Sequence, residues 1–101
     1  MINRKVIITK TAQKKLDNLF YYLITSWNLE IKSDFVKKLD KCIDTIKLHP
    51  EIFPESSRKK GLYRLVITKH TTLFYRYTSK KIIIVTLFDT RQNPDKLIQD
   101  L

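Results

Sequence analysis

At 101 residues and 43% hydrophobic content, the chain fits one domain over residues 1–101 and leaves no room for a second core. A single glycine and three prolines exclude a collagen-like chain, and the apolar fraction excludes a disordered one. Twenty Lys and Arg against ten Asp and Glu give a net charge of +10, which draws a protein toward polyanions or an acidic partner. The field is strongest over residues 56–88, where Arg58, Lys59, Lys60, Arg64, Lys69, Arg76, Lys80 and Lys81 stand with no acidic residue among them.

In chain order, the β-branched run Val6-Ile7-Ile8 predicts a first strand over residues 2–9. Thr9 or Thr11 then offers a hydroxyl to cap a helix. From Ala12 the apolar residues Leu16, Leu19, Phe20, Leu23 and Trp27 follow at intervals of three or four, one face of an amphipathic helix. Asn28 breaks that run and caps a second, in which Ile31, Phe35, Leu39, Cys42, Ile43 and Ile46 repeat the spacing. Two such helices joined this closely form an antiparallel hairpin.

His49-Pro50 ends the second helix, because proline disfavours helical geometry in the residue before it. Residues 49–61, with Pro54 and "SSRKKG", read as a solvated loop. Beyond Gly61 the period becomes two: Tyr63, Leu65 and Ile67 alternate with polar or exposed positions, as do Leu73, Tyr75 and Tyr77. Residues 82–88 are apolar on both sides, which requires cover on both faces and a neighbour on each edge, so this last strand is expected to be central. The N-terminal strand supplies the second neighbour. The predicted fold is α+β, ordered β-α-α-β-β-β, with the helical hairpin packed on a small, mainly antiparallel four-stranded sheet and a short helical tail from Pro94.

That order, together with "YYLITSW", "LHPEIFP", "GLYRLVITKH", "LFYRY" and "FDTRQNP", resembles the RelE/ParE superfamily of toxins from type II toxin–antitoxin systems, across nearly the whole chain. The resemblance implies a small basic toxin neutralised by a cognate antitoxin, with operator DNA reached only through the antitoxin complex. Within the superfamily the RelE branch cuts messenger RNA on the ribosome, and the ParE branch poisons DNA gyrase without being an enzyme. RelE-like ribonucleases carry an arginine just before the "LVY" of the middle strand; here Thr72 stands at that place. The preceding strand offers Arg64 where they alternate two lysines, with Val66 at the second position. His70 ahead of "LFYRY" and an Arg-containing tail look more like the ParE branch, although Asp89 stands where ParE-like chains often have histidine. Gyrase is therefore the expected target, with a ribosome-dependent endoribonuclease and an inactive antitoxin-binding relative as alternatives.

On this reading Arg64, Lys69, Tyr75, Arg76 and Arg91 contact the target, and any catalytic role falls to Arg64, His70, Arg76 or Arg91. Tyr75 shares the Leu73 face, so its alternative is core packing. Phe20, Trp27, Arg58, Lys59 and Lys60 are expected to meet the antitoxin, with core packing the alternative for the two aromatics. Cys42 lies on an apolar helix face as a buried thiol. Two histidines and one cysteine, scattered as they are, make no metal site, and no cofactor is expected. The start "MINRKVIITK" lacks the apolar region of a signal peptide and no run approaches a membrane span, which predicts a cytoplasmic protein with no membrane partner.

Overall fold

A computed structural model of the chain describes residues 4–57 and 59–90. The element order is β1 (Lys5–Ile8), α1 (Lys10–Ser26), α2 (Leu29–Leu48), a 3-10 turn (Pro50–Ile52), β2 (Tyr63–Val66), β3 (Thr71–Tyr77) and β4 (Lys81–Asp89). Each helix starts where a short polar side chain replaces a missing backbone partner. The Thr9 hydroxyl accepts from the Ala12 amide at 3.1 Å, and Asn28 Oδ1 accepts from the Ile31 amide at 2.9 Å. Proline stops α2 as expected, but Pro50 also opens a 3-10 turn, its fixed φ suiting a first helical position. The expectation of a featureless loop from residue 49 is corrected to that extent.

The sheet order is β1-β4-β3-β2, with β1 parallel to β4 and the other pairs antiparallel. The last strand is central, as its two-sided apolar character requires. Ala12, Leu16, Leu19 and Leu23 of α1 and Phe35, Leu39 and Ile46 of α2 pack with Leu65, Leu73, Tyr75, Ile82, Ile84 and Leu87 in the main core. All of these are less than 10% exposed, so the hairpin covers one face of the sheet.

A β-bulge changes what β4 presents. Phe74 faces Thr86 but Tyr75 faces Ile84, so Val85 is an extra residue. Before it, Ile82 and Ile84 point to the helices; after it, Leu87 does. Were Val85 paired in a regular ladder, a strict period of two would turn Thr86 and Phe88 inward instead. The Thr9 hydroxyl donates to the Val85 carbonyl at 2.7 Å while accepting from Ala12, so one side chain starts α1 and satisfies the bulge. On the opposite face Leu62 and Phe74, with Val85 and Phe88, form a second, smaller apolar cluster.

Tyr75 is fully buried and its hydroxyl donates to the Pro50 carbonyl at 2.6 Å. The Tyr63 ring stacks on it at 5.7 Å and meets Tyr77 at 5.0 Å. Burial, then the neighbouring phenols, push the Tyr75 pKa well above the ordinary 10.0. Because the folded state holds the proton after the unfolded chain has lost it, stability is full below pH 10 and falls above it. Tyr75→Phe is expected to cost about 1 kcal/mol at neutral pH, the value of one buried hydrogen bond. Urea melts of both proteins should show that gap narrowing as pH rises beyond about 10; a constant gap would mean the phenol ionises freely in the fold.

Candidate functional site

The sheet face away from the helices is built by alternate residues of β2, β3 and β4. Arg64 pairs with Phe74, and Arg76 lies two residues further along β3, so both guanidinium side chains stand on that face as diagonal neighbours. Arg64 is exposed and Arg76 half-buried. One guanidinium nitrogen of Arg76 lies 3.3 Å from where a Cβ on Gly61 would sit, and Gly61 has φ of 80°, so glycine serves both the turn and the close approach. The Gly61 amide donates to Glu55 Oε2 at 2.5 Å, holding the loop beside Arg76. Thr72 stands on the same face between Val66 and Phe88. Val66, exposed at 61%, adds an apolar edge beside Arg64.

The expected set of target contacts does not stay together. Tyr75 leaves it, because full burial and the Pro50 hydrogen bond make it a core residue. Lys69 and His70 sit in the β2–β3 turn at the end of the sheet. His70 Nδ1 is 3.3 Å from the Thr90 hydroxyl, and the His70 carbonyl accepts from the Thr90 amide at 2.8 Å. Next to this turn, Thr71 donates through its hydroxyl to Asp89 Oδ2 at 2.8 Å, both residues being buried. Asp89 thus ties the start of β3 to the end of β4. Arg58, Arg91 and the tail from Pro94 lie outside the described residues.

Lys69 and His70 instead border a cavity of about 470 Å³ beside the helical hairpin. Leu23, Ile31 and Phe35 supply its apolar wall, Asp34 and Lys38 its α2 side, and Thr68 closes it from the turn. Of these only Lys69 and His70 are expected from the sequence in a functional role; Leu23, Ile31 and Phe35 belong to the apolar faces of the helices, and Lys38 shares the face of Ile31 and Phe35 at intervals of four and three. Phe20 is half-buried against Phe35, edge to face at 6.1 Å, with the Lys32 ammonium 5.2 Å from its ring. Trp27, the C-cap of α1, is 56% exposed. With Tyr21, Ile24 and Leu29 it leaves the hairpin end rich in uncovered apolar surface. Lys59 and Lys60 are exposed in the loop before β2. Cys42 is half-buried, and burial raises its thiol pKa, which disfavours the reactive thiolate. No helix among the described residues is long and apolar enough to cross a membrane.

The family described as the ParE toxin of the type II toxin–antitoxin system, parDE, matches residues 6–94. Solved structures with a similar fold include the chromosomal ParDE system of P. aeruginosa, 16% identical, with a TM-score of 0.69 over 86% of this chain and 96% of that one. A YoeB/ParE toxin from Agrobacterium tumefaciens is 15% identical, with a TM-score of 0.63 over 84% and 96%. An archaeal RelE–RelB complex from Pyrococcus horikoshii is 18% identical, with a TM-score of 0.55 over 91% and 100%. No curated protein matches the sequence.

Proposed function

Because the chain belongs to the ParE toxin family of type II toxin–antitoxin systems, we propose that it arrests growth by binding DNA gyrase through the open face of its sheet and is held silent by a cognate antitoxin. The observation that carries the choice of target is the content of that face. It offers Arg64 and Arg76 side by side, whereas on the family resemblance Thr72 stands at the ribonuclease arginine position and Val66 at its second lysine position. Cleavage by a 2′-hydroxyl needs a proton acceptor, a proton donor and cations around the phosphorane. Two guanidinium groups provide the cations alone, since arginine does not give up its proton. Two adjacent guanidiniums beside exposed Val66 suit instead a protein surface rich in carboxylates, where arginine is a frequent binding hot spot. Arg91 is assigned to the same surface on the family resemblance. The antitoxin reading is supported by the family and by the charge of +10.

Pulse labelling soon after induction of the protein alone tests the target. Thymidine incorporation should fall before methionine incorporation. The reverse order, with codon-phased cuts in mapped transcript 5′ ends, would establish the ribonuclease reading, which the acid-free stretch from residue 56 to 88 favours. Normal growth would leave the inactive antitoxin-binding relative.

A further inference from the structure

We propose that the cavity beside the helical hairpin is the socket in which an apolar, acid-flanked segment of the antitoxin is anchored, separately from the sheet face assigned to the target. The inference rests on the toxin reading above. The volume of about 470 Å³ lies in the range of sites that take a ligand or an anchoring side chain. Of its apolar wall, Leu23 and Phe35 are 1% and 4% exposed and form a fixed base, while Ile31, 38% exposed, offers the surface that an entering apolar side chain would cover. The rim carries Lys38 and Lys69 against the single acid Asp34, with His70 alongside, and so favours carboxylates on either side of the anchor.

The surface around the cavity points the same way. Trp27 lies four residues after Leu23 and four before Ile31, and Trp27 and Leu29 are 56% and 64% exposed. An apolar track therefore leaves the cavity over the hairpin end, as a continuous segment running out of the socket requires. Arg64 and Arg76 stand on the sheet face opposite the helices, so a segment seated in the socket does not touch them. Grip and neutralisation are then separable: the socket sets how tightly the antitoxin holds, and other antitoxin residues must reach the open face.

The test uses the full-length protein encoded by the adjacent reading frame as ligand, with its dissociation constant measured for the wild type, for Lys38→Glu/Lys69→Glu, and for Lys10→Glu/Lys14→Glu. Lys10 and Lys14 are exposed near the start of α1, roughly 20 Å and roughly 14 Å along the helix from Leu23. Reversing the two rim charges is expected to weaken binding about 30-fold or more, while the distant pair changes it by about 3-fold at most. Ile31→Glu, on the wall and near a helix N-terminus where acid is tolerated, should weaken binding to a similar extent. Tight wild-type binding unaffected by the rim variants would overturn the socket and leave the toxin reading intact. Failure of the wild type to bind the neighbouring protein would overturn both. If the free protein sediments as a dimer that Lys38→Glu/Lys69→Glu dissociates, the cavity holds a second copy and the proposal falls.

Discussion

Replacing Arg64 and Arg76 together with alanine is expected to abolish growth arrest while the protein still folds and still binds its antitoxin. Both side chains stand on the sheet face that the helices leave open, as diagonal neighbours across β2 and β3. Arg64 is exposed, so its loss removes no core contact; Arg76 is half-buried beside Gly61, so its loss costs some packing of the alkyl stem as well as charge. Truncation of a central arginine at a protein interface costs about 2 kcal/mol or more, so the pair corresponds to a loss of target affinity on the order of a hundredfold or beyond. Supercoiling by purified gyrase, titrated with wild-type and variant protein, measures this directly, and a melting curve of the variant controls for folding. Full inhibition by the folded variant would move the active surface off this face.

The double substitution Leu87→Ala/Asp89→Ala is expected to have the largest effect on stability. The bulge at Val85 sets the phase in which both side chains of the central strand are buried. Leu87 is 2% exposed in the main core, and Asp89 is buried and accepts the Thr71 hydroxyl. Truncating the leucine costs about 2–5 kcal/mol in lost burial and cavity formation. Leaving the Thr71 hydroxyl buried without this carboxylate adds about 1–3 kcal/mol. The sum is comparable with the whole stability of a small domain, roughly 5–15 kcal/mol, so loss of a cooperative unfolding transition is expected. A variant that melts cooperatively near the wild-type temperature would show that neither side chain is needed to hold β4 in the core.

Much of this fold is written locally. Thr9 and Asn28 start the helices where a capping residue precedes an amphipathic run, Pro50 stops the second, and residues 82–88 declare a central strand by being apolar on both sides. The bulge was not legible, because a run apolar on both sides carries no parity for an extra residue to break. Trp27 fell in step with the buried face of α1, yet it caps the helix end, where the core no longer reaches it. Tyr75 was ambiguous between interior and surface until the Pro50 carbonyl accepted its hydroxyl. The division of the basic residues was likewise hidden: alternation separates Arg64 and Arg76 from the core, but only the turn geometry carries Lys69 and His70 away to the helical side. Asp34 and Lys38 carry no mark in the sequence pattern; it is the facing turn that makes them part of the cavity.

The place of β4 in the sheet also has a consequence in time. It is the last of the described strands to be synthesised and the one through which β1 joins the others: Lys5 pairs with Lys81, 76 positions later. Until residue 89 has left the ribosome, β1 has no partner, α1 and α2 have no complete sheet to cover, and Arg64 and Arg76 have no finished face to stand on. Contacts this distant in sequence also close slowly. A growing chain therefore carries the toxin's residues for most of its synthesis without having its shape, an interval during which the cell making it is not exposed to a folded poison.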